Sequence, residues 1–226
     1  TGDVGRDTSI TIGADGLGLI SYYDATSQAL KVAHCSNTNC TTATITALDA
    51  TGTVGFYTSI TIGADGLGLI SYHDNTNTAL KVAHCSNTNC TTATITTLDS
   101  TDDVGRYTSI TISADGLGLI SYRDATNGDL KVAHCSNTDC TTATKTALDS
   151  DGNVGRHTSI TIGADGLGLI SYHDLTNSDL KVAHCSNTNC TTATITALDS
   201  TGLVGRWSSI TIGADGLGLI SYYDWN

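Results

Sequence analysis

The residues best equipped for chemistry recur together. His34, Cys35 and Cys40 lie in AHCSNTNC, and the hexad CSNTNC returns at 85–90 and 185–190, and as CSNTDC at 135–140. A histidine and two cysteines can hold a zinc ion; two cysteines alone can oxidise to a disulfide. Neighbouring strand residues point to opposite faces, which makes His34 and Cys35 a poor ligand pair. If strands flank the hexad, its ends face each other across a hairpin at a span that a disulfide bridges. The expected pairs are Cys35–Cys40, Cys85–Cys90, Cys135–Cys140 and Cys185–Cys190, with no metal. Closing each short loop contributes roughly 2 kcal/mol. Disulfides at this density belong to an oxidising compartment, so a secreted or cell-surface protein is expected.

The carboxylates come next. All 22 acidic residues are aspartate, so glutamate, the commonest general acid of glycoside cleavage, is absent, although aspartate can replace it. Asp15, Asp24 and Asp49 recur from register to register and raise calcium as a candidate cofactor. Asp-Gly turns and strand ends select aspartate for backbone reasons alone, however, and no dense Asp-x-Asp-x-Asp run occurs. No cofactor is therefore expected. His34, His84, His134 and His184 read as structural, on the strand face shared with Val32. Asn39, Asn89 and Asn189 stand in Asn-Cys-Thr sequons, candidate glycan acceptors at exposed turns, while Asp139 breaks the fourth sequon.

These residues are carried by a repeat. Registers start at 1, 51, 101, 151 and 201 without insertion or deletion, giving repeats 1–50, 51–100, 101–150, 151–200 and a partial 201–226. Each full register reads as four short strands: SITI (9–12), LGLISYYD (17–24), LKVAHC (30–35) and TTATITAL (41–48). The Asp-Gly pair of GADG supplies a tight hairpin between the first two. Period-two alternation with β-branched residues, punctuated by Gly, Asp and Asn, argues for strands throughout. Four-stranded units repeated at about 40–50 residues are the signature of β-propeller blades. The fold expected is all-β: one propeller domain, 1–226, of four full blades and a two-stranded half blade, as a five-bladed ring or part of a longer array.

The phrase SITIGADGLGLISYYDAT, followed by LKVAHC, resembles the blade units of secreted bacterial β-propellers, the broad sialidase-like and kelch-like group. The resemblance spans the whole chain and implies the fold; propellers host many unrelated functions. The Asp-box of the sialidase-like relatives, Ser-x-Asp-x-Gly-x-Thr-Trp, is not matched.

Registers differ from one another in two places. One precedes the first strand: Arg6, Phe56, Arg106, Arg156 and Arg206, then Asp7, Tyr57, Tyr107, His157 and Trp207. The other follows the second strand: Tyr23, His73, Arg123, His173 and Tyr223, with Trp225 two residues beyond the last. In an antiparallel meander both clusters fall at one end of each blade, forming a candidate recognition rim, while the GADG and CSNTNC turns lie at the other end.

A formal charge of −12 without a basic patch excludes nucleic acid as a partner. Apolar runs such as GLGLI are too short to enter a membrane. The chain starts without methionine, as a processed protein or an excised segment would. Because near-identical blades offer no asymmetric constellation, the sequence predicts a protein that is not an enzyme. The expected role is an extracellular structural or adhesive one, with self-association through the open edge of the last blade. A lectin-like module binding glycan or a cell-surface partner at the rim is the alternative; a sialidase-like glycoside hydrolase is a weaker one.

Overall fold

A computed structural model describes residues 2–225. Among them are 18 strands, arranged in four four-stranded antiparallel sheets and one two-stranded sheet. Blade 1 is β1 (Val4–Ile12), β2 (Gly18–Asp24), β3 (Ala29–Cys35) and β4 (Ala43–Asp49), paired in chain order. Blades 2 and 3 repeat it as β5 (Val54–Ile62) to β8 (Ala93–Asp99) and β9 (Val104–Ile112) to β12 (Ala143–Asp149). Blade 4 runs from β13 (Arg156–Ile162) through β14 (Gly168–Asp174) and β15 (Asp179–Cys185) to β16 (Ala193–Asp199). Blade 5 is the pair β17 (Arg206–Ile212) and β18 (Gly218–Tyr223). The first strands of all five gather around one axis, so the chain is a β-propeller.

The core lies between blades. Leu19, Leu30 and Val32 of blade 1 bury against Val54, Ile60, Ile70 and Tyr72 of blade 2, and equivalent residues fill the next two boundaries. Burial of such side chains contributes roughly 1.5–3 kcal/mol apiece. The approach is close: a Cβ on Gly55, whose φ is +101°, would stand 2.8 Å from the Cα of Leu30. Only glycine fits that contact and that dihedral. On blade 1 the equivalent face is open, with Ile10 64% exposed where Ile60, Ile110 and Ile160 are 6%. Leu217 and Leu219 of blade 5 are exposed on the opposite side.

A polar bolt crosses each boundary beside the core. The Tyr72 hydroxyl donates to Asp49 Oδ2 at 2.7 Å, and Lys81 Nζ reaches the same carboxylate at 2.6 Å. Tyr122 and Lys131 repeat this on Asp99, and Tyr172 and Lys181 on Asp149. Burial pushes the Asp99 carboxyl up, but hydrogen bonds from Lys131, Thr101 and Tyr122 outweigh it and hold the group at about 2. Asp24 accepts from the backbone N–H groups of Thr26 and Ser27 and pairs with Lys31. Asp24 and Asp49, raised above for calcium, thus serve the blade frame.

The four disulfides join Cys35–Cys40, Cys85–Cys90, Cys135–Cys140 and Cys185–Cys190, each with Cα atoms 4.9 Å apart. The fourth strand starts at Ala43 and not at residue 41, because Thr41 and Thr42 complete the turn: Thr41 N–H donates to Asn37 Oδ1 and Ser36 N–H to the Thr42 carbonyl. The first strand, in contrast, starts earlier than its alternation suggests. Its ladder shifts register between Arg6 and Ser9, which is a β-bulge, and the pattern resumes only beyond it.

Candidate functional site

That bulge builds the site. It recurs in every blade, and it places Asp7, Tyr57, Tyr107, His157 and Trp207 at φ of 51°, 53°, 54°, 53° and 50°. Left-handed backbone costs side-chain-bearing residues energy, about 1–3 kcal/mol each, and such residues cluster at functional sites. Here all five encircle the axis. With the hydroxyl residues that follow them, Thr8, Thr58, Thr108, Thr158 and Ser208, they line a pocket of about 350 Å³. The hydroxyls are anchored from below: Thr58 donates to Ser21 at 2.9 Å and Thr108 to Ser71 at 2.8 Å. Sequence reasoning missed this second ring, since a residue nearly identical in every register reads as scaffold.

Aromatic rings form an arc around the pocket. Tyr57 and Tyr107 lie with centroids 4.6 Å apart, Tyr107 and His157 4.6 Å, and His157 and Trp207 5.3 Å. Tyr223 and then Trp225 continue the arc at 5.3 and 5.8 Å. Asp7 faces it as the one carboxylate among the described lining residues, its Oδ2 accepting the Tyr57 backbone N–H at 3.0 Å. Burial pushes the Tyr57 hydroxyl up to about 12, aided by Tyr107. Burial also pushes His157 down to about 4, helped by His173, Arg156 and Arg206. The pocket therefore presents one carboxylate, neutral rings and hydroxyls.

The remaining rim residues divide into two groups. Arg6 pairs with Asp3 and Arg106 with Asp103, at the pocket end of blades 1 and 3. Tyr23, His73, Arg123 and His173 do not form surface: they are 4%, 1%, 4% and 2% exposed. Their place on the recognition rim is corrected by what they reach. His73 Nδ1 donates to the Val104 carbonyl at 2.9 Å and Arg123 Nη1 to the Val154 carbonyl at 2.7 Å, each across a blade boundary. Tyr23 stacks on Phe56 at 4.1 Å. At His73 and Arg123 the variation reflects a shared kind of acceptor, the backbone carbonyl of the next blade.

The opposite face carries the turns. Asp15 accepts from His34 Nε2 at 2.8 Å, and Asp65 from His84 at 2.7 Å. Asp65, His84 and Asp139 are the one group of three among the described residues whose ligand atoms lie within 4.8 Å of one another and could hold a metal ion. They lie far from the aromatic arc, across the height of the sheet. Asn39, Asn89 and Asn189 are exposed at the tips of the disulfide loops.

No family model matches the chain, and no curated protein matches its sequence. Solved structures match its shape. The α-L-arabinanase of Penicillium chrysogenum, complexed with arabinobiose, superposes with a TM-score of 0.69 at 11% identity, over 97% of this chain and 75% of that one. The α-L-arabinofuranosidase of Lactobacillus brevis gives 0.57 at 11%, over 97% and 83%. The exo-β-1,3-galactanase of Phanerochaete chrysosporium with galactose gives 0.60 at 11%, over 88% of this chain and 50% of that one. At such identity the likeness shows the fold, a β-propeller. Two further structures of this shape are described as glycoside hydrolase family 43 enzymes, at 10% and 7% identity; the expected likeness to the sialidase-like and kelch-like group in particular is not supported.

These neighbours overturn the expectation of a non-catalytic structural or adhesive protein, and with it the expectation that the chain is no enzyme. The premise fails physically as well. Near-identical blades were expected to give a symmetric centre, yet the ring position holds an acid, two phenols, an imidazole and an indole. Repetition in the frame coexists with asymmetry at the axis.

Proposed function

We propose that the axial pocket takes sugar and that the protein is a glycoside hydrolase working on extracellular glycans. The observation that carries this reading is the ring of five left-handed residues, which aims one carboxylate, hydroxyls and an aromatic arc into a single pocket. Aromatic walls with a few convergent polar groups suit the apolar faces and hydroxyl edges of a sugar. Support also comes from the propellers of the same shape, which are named for cleaving arabinan and galactan chains. Glycoside cleavage uses carboxyl groups across the scissile bond. Of the pair that such cleavage needs, the described lining residues supply one member, Asp7, assigned here as the base or nucleophile. Asp3 and Asp103, on the same face, are each held by an arginine. The four disulfides support an oxidising, extracellular setting.

The test is release of reducing sugar from arabino- and galacto-oligosaccharides, with binding followed by Trp207 fluorescence. Asp7→Asn is expected to abolish release while retaining binding. If the wild-type chain binds a sugar and never cleaves one, the hydrolase reading fails; if no sugar on the panel binds, the pocket assignment fails with it.

A further inference from the structure

Beside the pocket, at the same end of blades 4 and 5, arginines stand without an acidic partner among the described residues. In blades 1 and 3 the rim arginine is neutralised by an aspartate three residues earlier, Asp3 for Arg6 and Asp103 for Arg106. Blade 4 has Asn153 at that position and blade 5 has Leu203, so Arg156 and Arg206 lack this partner. The loss leaves marks in the packing. Arg156 Nε, Asn153 Oδ1 and His173 Nδ1 are buried without a hydrogen-bond partner, all at the same end of blade 4. His173 is 2% exposed and pairs in the ladder with Arg156. Buried polar atoms are normally satisfied; Arg156 Nε, and His173 Nδ1 when it carries the proton, are donors that an anion could meet, whereas Asn153 Oδ1 is an acceptor and is not.

Charge accumulates there too. Arg123 of blade 3 turns its guanidinium to the Val154 carbonyl beside Arg156, so three of the chain's five arginines share this place in a protein of net charge −12. Burial, with Arg156 and Arg206 nearby, holds His157 and His173 well below their ordinary value, so both are neutral at neutral pH; Arg123 adds to this at His173. The positive charge is therefore the arginines' own. Arg156 and Arg206 stand behind the lining, each one residue before a ring that does line the pocket, His157 and Trp207.

We infer that this arginine cluster is an anion subsite, and that the glycan the pocket takes carries a carboxylate or sulfate group set against Arg156 and Arg206. The inference rests on the reading of the pocket as a sugar site. A guanidinium matches a planar carboxylate or a sulfate edge with two parallel hydrogen bonds, which gives geometric selection as well as charge. A sugar ring on Trp207 and His157 would direct its acidic substituent to the arginines, within the same pocket that Asp7 lines.

The experiment compares trigalacturonate, a sulfated galactotriose, neutral galactotriose and inorganic sulfate by titration calorimetry on the whole chain at low salt. The acidic sugars are expected to bind roughly tenfold or more tightly than the neutral one. Asn153→Asp, which rebuilds the ion pair seen in blades 1 and 3 and is tolerated there, is expected to cut that acidic-to-neutral ratio by about tenfold. Thermal melting of the variant verifies that it folds. Equal affinity for acidic and neutral sugars, or a ratio unmoved by Asn153→Asp, overturns the anion subsite and leaves the sugar pocket standing. Binding of sulfate without any sugar supports the subsite and sinks the sugar reading; binding of nothing sinks both. The stronger of the two acidic sugars tells carboxylate from sulfate.

Discussion

Tyr72 donates its hydroxyl to Asp49 across the boundary between blades 1 and 2, in a contact that Lys81 completes. A carboxylate this buried loses a charge-assisted hydrogen bond if the hydroxyl goes. Tyr72→Phe is therefore expected to lower stability by about 1.5–3 kcal/mol, read from urea denaturation. Tyr222, which makes the same bond to Asp199 with its ring 39% exposed, should give a clearly smaller loss as Tyr222→Phe. Equal losses would sink the claim that burial sets the strength of the bolt.

The left-handed ring position predicts an unusual order among substitutions. At Tyr107, φ +54°, asparagine tolerates the backbone whereas a β-branched residue opposes it. Tyr107→Asn should be more stable than Tyr107→Val by about 1 kcal/mol. Both variants should lose sugar affinity, because both remove the ring that links Tyr57 to His157. Matched stabilities would mean that the bulge relaxes when its residue changes.

Acid should loosen the rim. Burial holds His157 and His173 at about 4, against an ordinary value of 6.5. Between those values the unfolded chain binds more protons than the folded one, so stability falls as pH falls. Thermal midpoints should be level above about 6.5 and drop from there toward about 4. The double variant His157→Gln, His173→Gln should flatten that slope. A midpoint that does not move in the wild type across this window contradicts the burial of the two rings.

The four disulfides should not open together. Cys90, Cys140 and Cys190 are fully buried, whereas Cys40 is exposed. Thiolate attack requires access to sulfur, so mild reductant should open Cys35–Cys40 first. Alkylation of the freed thiols and peptide mapping follow the order. Each opening should cost about 2 kcal/mol, and the sugar pocket at the other end of the blades should survive the first.

Much of this fold is legible because the frame obeys simple periods. Alternation fixes β2 and β3 to within a residue, and the hexad geometry gives the cysteine pairs. Residues 4–8 escape because Val-Gly-Arg-x-Thr spans a bulge, where the period of two is broken by an extra residue. The pocket's variable side chains are legible as a rim, but its geometry is not: nothing in the identity of Asp7, Tyr107 or Trp207 announces a positive φ. Tyr23, His73 and Arg123 mislead in another way. Their variety suggests solvent, but each finds a partner in the next blade that tolerates variety, a carbonyl or the Phe56 ring. The ring position also separates frame from site: the blades are nearly the same, but the residues they present at the axis are not.

The bulge has an evolutionary and practical corollary. The bulge recurs in the same place of every ladder, and the frame accepts an acid, a phenol, an imidazole or an indole at 7, 57, 107, 157 and 207. Those five codons act as exchangeable inserts in a fixed mould. A library randomised there alone would sample new specificities while leaving the interblade cores, bolts and staples untouched.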